Sequence, residues 1–138
     1  MTILAYTDGA SRGNPGESGV GVVLKDKFGN VITSQYGYIG KATNNIAEYT
    51  ALAICLRLVQ TTECSQLVVH SDSELMVRQL NGQYKVKDVE LKKHFQKIKN
   101  IIIAAPYQFK IKHVPREKNR EADELANRGI NTKKLLNI

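Results

Sequence analysis

The sequence predicts an α/β protein with a five-stranded mixed sheet flanked by helices. Three segments rich in β-branched and aromatic residues follow one another at the start of the chain, joined by short turns. Segments with helical spacing of apolar residues then alternate with two further strand-like segments. The first pattern is typical of an antiparallel meander, and the second of parallel strands connected by helices.

The first half of the chain contains the predicted meander and one long helix. We expect strands at residues 3–7, 20–24 and 31–39, with a turn at Gly29-Asn30 between the last two. Residues 45–60 carry apolar side chains around most of the helix circumference, which predicts a largely buried helix.

The second half alternates shorter strands and helices. Strands are predicted at residues 66–71 and 107–114, and helices at 73–80, 89–103 and 120–128, the last ended by Gly129. The chain has no linker, internal repeat or low-complexity segment, so we expect one domain over residues 1–138. The last eight residues, NTKKLLNI, either pack on the sheet or form a flexible tail.

The composition indicates a polyanionic partner. The chain has 20 Lys and Arg against 13 Asp and Glu, a formal net charge of +7 at pH 7. Its lysines concentrate between Lys85 and Lys118, which predicts a one-sided positive field. Such a field favours nucleic acid over a membrane as the partner. A solvated basic surface without a partner explains the charge equally well, so only the sequence motifs can distinguish these two interpretations.

Cysteine usage and hydropathy point to the cytoplasm. The two cysteines, Cys55 and Cys64, form no CxxC pair and no disulfide framework, which fits a reducing compartment. We see no signal peptide and no apolar run long enough to span a membrane, so no membrane partner is expected.

Four acidic residues stand at the ends of predicted elements, and each has an ordinary structural explanation. Asp8 begins an Asp-Gly pair that favours a turn. Glu48 suits a capping box with Asn45 as the N-cap, and Asp72 suits the N-cap of the following helix. Asp123 lies at the edge of the buried face of the last helix, where a partly buried charge needs a partner.

Taken together, these acids predict a metal site. Ligands of α/β sheets bind at the carboxyl ends of parallel strands, and the first and fourth strands are predicted to end in Asp8 and Asp72. Clustered carboxylates repel one another unless cations lie between them, and oxygen-rich sites suit Mg²⁺ or Mn²⁺. Two such ions can clamp the attacking and leaving oxygens of a phosphoryl displacement, so a polynucleotide is the expected substrate.

The acids lie in four segments of sequence: TDGASRGNPG, TNNIAEYTAL, SDSELMVRQLNG and HVPREKNREADELAN. In this order and spacing they resemble type I ribonuclease H over nearly the whole chain, from Ile3 to about Gly129. The resemblance implies a ribonuclease H-like fold and an endonuclease that hydrolyses the RNA strand of RNA–DNA hybrids. The expected products are 5′-phosphate and 3′-hydroxyl ends.

The resemblance also implies a role for each acid. Asp8 would bridge two Mg²⁺ ions, Glu48 and Asp72 would hold one of them, and Asp123 the other, with Mn²⁺ as a possible substitute. His113 matches a mobile histidine that assists proton transfer or product release. The structural alternative for His113 is a strand-end residue bonded to the backbone.

The resemblance also implies substrate contacts at the positions of this sequence that match those of the family. Ser11 and Asn14 match the segment that touches the RNA strand. Asn44 and Asn45 match asparagines that meet the hybrid near its minor groove, where polar groups can read the 2′-hydroxyl, although both also suit helix capping. The resemblance also implies a pocket for a phosphate of the DNA strand, formed by Lys41 and Thr43.

The chain departs from the family pattern in three places. Asp88 stands where an Asn often completes the phosphate pocket, and a stiff Val114-Pro115 pair follows the histidine in place of a glycine-containing loop. The basic, Trp-rich protrusion of some members shrinks to NGQYKVKDVE, which leaves Tyr84 and Lys85 as candidate contacts to the DNA strand. We therefore expect weaker and more salt-sensitive hybrid binding than in members with the protrusion.

Two other functions stay open on the sequence alone. One is another nuclease of the ribonuclease H-like superfamily, such as a junction resolvase, against which the TNN segment before Glu48 argues. The other is a non-catalytic nucleic-acid-binding module, against which the complete set of four acids argues. We expect a monomer, and the sequence leaves open whether the domain is free-standing or part of a larger polyprotein or fusion.

Overall fold

The computed structural model describes residues 1–136 as a five-stranded sheet with helices on both faces. The strands are β1 (Thr2–Gly13), β2 (Gly16–Lys25), β3 (Val31–Ala42), β4 (Gln66–Ser71) and β5 (Gln108–His113). The helices are α1 (Asn44–Val59), α2 (Glu74–Leu80), α3 (Val89–Ala104) and α4 (Arg120–Thr132), with a 3-10 turn at Arg116–Lys118. This architecture confirms the predicted α/β class and the predicted order of elements.

The strand order across the sheet is β3-β2-β1-β4-β5. The first three strands pair antiparallel, as predicted for a meander, whereas β4 pairs in parallel with both β1 and β5. β1 is longer than predicted and remains paired with β2 as far as Gly13, but its pairing with β4 ends where Thr7 meets Ser71. The sheet therefore opens on the β4 side of β1 directly at Asp8.

The buried helix α1 confirms the sequence prediction for this segment, because its apolar side chains reach the core on several sides. It packs between the sheet and α3, with Tyr49, Leu52 and Leu56 almost completely buried. Among residues 1–136, no helix combines the length and the apolarity needed to cross a bilayer.

Glycines bring α4 against the opposite face of the sheet. A Cβ atom on Gly21 would lie 2.3 Å from the carbonyl oxygen of Ala122, and one on Gly19 would lie 2.4 Å from that of Ala126. Because neither glycine has a side chain, α4 can lie close to β2, and a larger residue would have no room at either position. This contact positions the first turn of α4, which carries Asp123, near the sheet.

The sequence-based prediction that Gly129 ends the last helix was wrong. Gly129 lies inside α4, where its Cβ would be 2.4 Å from the carbonyl oxygen of Gly37, so it serves close packing on β3. The helix continues to Thr132 and ends at Lys133, whose φ of 49° places it in the left-handed region.

The C-terminal segment runs beside β3 where it is described. The backbone nitrogen of Tyr38 donates to the carbonyl oxygen of Lys134 at 2.6 Å, and Tyr38 forms an isolated parallel bridge with Leu135. Leu136 packs against the core. Of the predicted tail, residues 137 and 138 lie outside the described part of the chain.

Candidate active site

Three carboxylates converge where the sheet opens beside β1. One oxygen atom each from Asp8, Glu48 and Asp72 lies within 4.8 Å of the other two. Asp123, from the first turn of α4, lines the same open cavity of about 560 Å³. The structure thus brings all four predicted acids to one place.

Asp8 lies inside β1, opposite Gly21 of β2, so the prediction that it ends the strand and starts a turn was wrong. The turn comes later, between Gly13 and Gly16. Asp8 itself is only 4% exposed. Its backbone is held by β2 on one side, and on the other side β4 has already ended, so its carboxylate reaches the cavity from a rigid strand.

Glu48 is fixed by the backbone of β1. Its Oε1 accepts a hydrogen bond from the backbone nitrogen of Gly9 at 2.9 Å. The predicted capping box is absent from this helix, because α1 is capped by Thr43, whose hydroxyl accepts from the backbone of the first turn, and not by Asn45. The position of Glu48 is therefore decided by contact with a distant strand.

Asp72 follows β4 and does not cap the next helix. Ser73 is the N-cap of α2, and its hydroxyl accepts from the backbone nitrogen of Met76 at 3.2 Å. The N-cap interpretation of Asp72 was therefore wrong. Instead, the Asp72 carboxylate lies 3.4 Å from the side-chain nitrogen of Asn119 and faces the cavity.

The acid cluster is electrostatically unfavourable without a cation. Burial, together with the negative charges of Glu48, Asp72 and Asp123, raises the pKa of Asp8 to about 10. Burial and the charge of Asp72 likewise raise the pKa of Glu48 to about 8, although the hydrogen bond from the Gly9 backbone and the charge of Arg116 oppose this rise. A divalent cation would remove this penalty, so the donor set and its electrostatics support divalent metal binding.

Arg116 is a site residue that sequence reasoning missed. It lies in the 3-10 turn between β5 and α4 and lines the carboxylate cavity. Its positive charge acts on Glu48 and favours the ionised carboxylate. The available signal was an Arg in the PREKN loop that leads into the helix of Asp123, but an Arg in an exposed loop has no distinctive pattern.

His113 lies near the site but does not line the cavity. It is exposed at the carboxyl end of β5, opposite Ser71. The chain after it is held by a hydrogen bond from the backbone nitrogen of Val114 to the carbonyl oxygen of Ser71 at 2.9 Å. The catalytic role of His113 therefore stays a prediction.

The predicted RNA-contacting residues form a connected rim beside the acids. Ser11, Asn44 and Asn45 line the carboxylate cavity. Oδ1 of Asn14 accepts from the backbone nitrogen of Asn44 at 3.1 Å, which ties the turn after β1 to the start of α1. The Ser11 hydroxyl donates to the carbonyl oxygen of Ala42 at 2.8 Å and supports the same junction.

The predicted DNA-strand contacts lie on the flanking surface. Lys41 is exposed near the end of β3, two residues before the capping residue Thr43. Asp88, which departs from the family pattern, is the N-cap of α3, and its carboxylate accepts from the first turn at 2.8 Å. Tyr84 is 48% exposed, with the Arg78 guanidinium 5.3 Å from its ring centre. Its neighbour in the shortened loop, Lys85, is exposed as well.

Comparisons with known proteins identify relatives over nearly the whole chain. A family model described as "Reverse transcriptase-like" matches residues 6–129. Ribonuclease HI of Halobacterium salinarum is 37% identical over 126 residues, which cover 91% of this chain and 63% of that protein. A ribonuclease H of Methylococcus capsulatus is 31% identical over 151 residues, covering 94% of this chain and 89% of that protein.

A solved structure extends the similarity to three dimensions. The crystal structure of LC11-RNase H1 in complex with an RNA/DNA hybrid matches with a TM-score of 0.90 at 45% identity, covering 94% of this chain and 97% of that one. Some relatives are longer: this chain spans 63% of the Halobacterium protein and 35% of a related Mycobacterium bovis protein.

Proposed function

The chain belongs to the ribonuclease H family, and we propose that it hydrolyses the RNA strand of RNA–DNA hybrids by a two-metal-ion reaction. The observation that carries this proposal is the convergence of Asp8, Glu48 and Asp72, whose carboxylate oxygens lie within 4.8 Å of one another. Asp123 and Arg116 line the same cavity. The hybrid bound to LC11-RNase H1, a protein 45% identical to this chain, supports the choice of substrate.

The donor set fits Mg²⁺ better than a softer metal, because all of its ligands are carboxylate oxygens. Asp8 would bridge two ions, Glu48 and Asp72 would hold one, and Asp123 would hold the other. When bound, the ions would promote ionisation of the attacking water and stabilise negative charge on the scissile phosphate. Mn²⁺ has the same preference for oxygen ligands and is the expected substitute.

The products that the family resemblance implies correspond to an in-line displacement at phosphorus in which the 3′-oxygen is the leaving group. Water attacks the phosphorus atom, and the bond to the 3′-oxygen breaks. One fragment keeps a 5′-phosphate, and the other leaves with a 3′-hydroxyl after its oxygen gains a proton. Arg116 is the positively charged side chain that lines the acid cavity, so it would stabilise the phosphate while the acids hold their ions.

The remaining predicted residues are proposed to bind the hybrid. Ser11, Asn44 and Asn45 border the acids and would contact the RNA strand, where the 2′-hydroxyl distinguishes RNA from DNA. Asn14 would support them through its hydrogen bond to the start of α1. His113 would assist proton transfer or product release after moving toward the cavity.

The DNA strand would be held through its phosphates and by stacking. Lys41 and Thr43 would hold one phosphate, and Tyr84 and Lys85 would add a weaker contact from the shortened loop. These are positioning contacts, so we expect little dependence on base sequence.

We further propose a monomer that works in the cytoplasm without a membrane partner. Cys55 and Cys64 are both free thiols, which suits a reducing compartment. Size-exclusion chromatography with light scattering would test the oligomeric state.

Strand-resolved cleavage tests the proposed function directly. A hybrid labelled in turn on its RNA and its DNA strand is incubated with the protein and Mg²⁺, with a chelator control. We expect cleavage of the RNA strand alone, and none in chelator. Cleavage of branched DNA but not of hybrid would instead indicate a junction resolvase, and hybrid binding without cleavage would indicate a binding module.

A further inference from the structure

A buried asparagine contacts the segments that carry the acids. Asn119 is 1% exposed and stands between the 3-10 turn and α4. Its side-chain nitrogen donates to the carbonyl oxygen of Thr7, the residue before Asp8, at 2.9 Å. The same nitrogen lies 3.4 Å from Oδ2 of Asp72. One neutral amide thus connects the two parallel strands that deliver their carboxylates to the site.

The backbone of Asn119 adds a third connection. Its carbonyl oxygen accepts from the backbone nitrogen of Asp123 at 3.1 Å, which starts the first turn of α4. Its own nitrogen donates to the carbonyl oxygen of Arg116 at 2.9 Å, which closes the 3-10 turn. Asn119 therefore also joins Arg116 and Asp123, the cavity residues that flank it in sequence.

Helix capping does not explain this side chain. A capping asparagine accepts a hydrogen bond from the first turn with its side-chain oxygen. Asn119 makes no such bond, and its Oδ1 has no partner among the described residues although it is buried. A buried polar atom without a partner opposes folding, so a role at the neighbouring site is the better explanation for the residue.

An uncharged side chain suits a position beside the carboxylate cluster. A neutral donor orients the Asp72 carboxylate without supplying the positive charge that a cation provides. An aspartate at the same position would add a further acid to a cluster that already raises the pKa of Asp8 and Glu48. An alanine would release both the Thr7 carbonyl and Asp72.

We propose that Asn119 is a positioning residue that holds Asp8, Asp72 and Asp123 at the spacing needed for divalent cation binding. This inference rests on the proposed function and adds the role of one more residue at its metal site. It concerns how the acids are placed, because Asn119 contacts the acid-bearing segments and is not itself expected to touch the substrate.

The test compares Asn119→Asp and Asn119→Ala with the wild type in two ways. The first readout needs no substrate: the rise in melting temperature as Mg²⁺ or Mn²⁺ is added to the protein. The second is the Mg²⁺ concentration that gives half-maximal hybrid cleavage, measured together with KM and kcat. We expect the metal affinity of both variants to fall by roughly 10-fold or more, which is typical when a partner of a metal ligand is lost. KM for the hybrid should change little.

The matched control is Asn131→Asp, which makes the same charge change on an exposed residue at the other end of α4. It should leave both readouts as in the wild type. The proposal is overturned if the Asn119 variants bind metal like the wild type, even if their melting temperature without metal is lower.

A wild-type measurement covers the case in which the variants fail to fold. The side-chain amide signal of Asn119 in a ¹⁵N NMR spectrum should shift on Mg²⁺ addition and saturate with the site, and an unchanged signal overturns the proposal. If the wild type binds metal but cuts no hybrid, the proposed function fails, while the metal-binding comparison still tests Asn119.

Discussion

The backbone nitrogen of Gly9 donates a hydrogen bond to Oε1 of Glu48 at 2.9 Å, across 39 residues of sequence. The contact depends on glycine, because a Cβ at this position would lie 2.2 Å from the carbonyl carbon of Ala47. A small residue in β1 thus lets α1 approach closely enough to place Glu48 beside Asp8.

Replacing Gly9 with alanine should therefore damage both the fold and the site. The methyl group collides with the backbone of α1, which cannot move cheaply, so we expect a loss of about 1–3 kcal/mol in the free energy of unfolding. The rate of hybrid cleavage should also fall in this variant, because Glu48 is displaced. Chemical denaturation and cleavage assays check this result. Gly29→Ala also loses stability, because the φ of Gly29 is 88°, but it lies in an exposed turn with no neighbour to displace and should retain cleavage. An equal loss of cleavage in both variants would contradict the prediction.

Replacing Asp8 with asparagine should abolish cleavage while leaving the fold intact. Asp8 is the buried centre of the acid cluster, and an amide removes the charge expected to bridge the metal ions. The change is nearly isosteric, so circular dichroism should match the wild type. Near-normal turnover in this variant would exclude the two-metal assignment.

The stability of the metal-free protein should decrease as pH rises. The unfolded carboxyls ionise near pH 4, whereas the folded pKa values are raised to about 10 for Asp8 and about 8 for Glu48. Between about pH 4 and pH 10 the folded state therefore binds more protons than the unfolded state, and the free energy of unfolding falls with pH. Thermal melts in chelator should show this decline, and Asp8→Asn should flatten it. A melting temperature that climbs across this range in chelator would argue against the raised pKa values.

Arg116 should matter more for catalysis than His113. Arg116 lines the carboxylate cavity, whereas His113 is exposed outside it. We expect Arg116→Ala to lower kcat by roughly 10²- to 10³-fold, as for the loss of one group that stabilises charge in the transition state. Arg116→Lys should recover part of the rate because it restores the positive charge. Single-turnover cleavage checks both, and a larger loss in His113→Ala than in Arg116→Ala would reverse the assignment.

Hybrid binding should be strongly salt-dependent. We expect its affinity to rest mainly on basic side chains that meet phosphates, Lys85 among them. We expect Lys85→Ala to reduce the slope of log affinity against log salt by about 1. Lys27→Ala, in the turn between β2 and β3, serves as the control and should leave the slope unchanged. Affinity that barely changes between low and moderate salt would refute the prediction.

Local sequence patterns predicted most elements because their causes are local. Alternating and helical apolar spacing identified the five strands and four helices, and turn residues identified most of their boundaries. Predictions failed where distant contacts decide the outcome. Gly129 reads as a helix end, but α4 continues through it because the residue packs on Gly37.

Capping was the other point at which local reasoning failed. Asn45 and Asp72 are both good N-cap residues, yet Thr43 and Ser73 cap the helices. Several neighbouring residues can cap each helix, and the side chains that accept from the first turn are the hydroxyls of Thr43 and Ser73. That choice leaves the Asp72 carboxylate directed at the cavity.

The sequence by itself determined the fold class, the order of the elements and the identity of the four acids, because these depend on residue type and spacing along the chain. Only the tertiary structure decided that three carboxylates lie within 4.8 Å, that Asp8 is inside a strand, and that Arg116 and Asn119 belong to the same site. The physical reason is that distances, burial and the resulting pKa values depend on residues far apart in sequence, and no local pattern encodes those contacts.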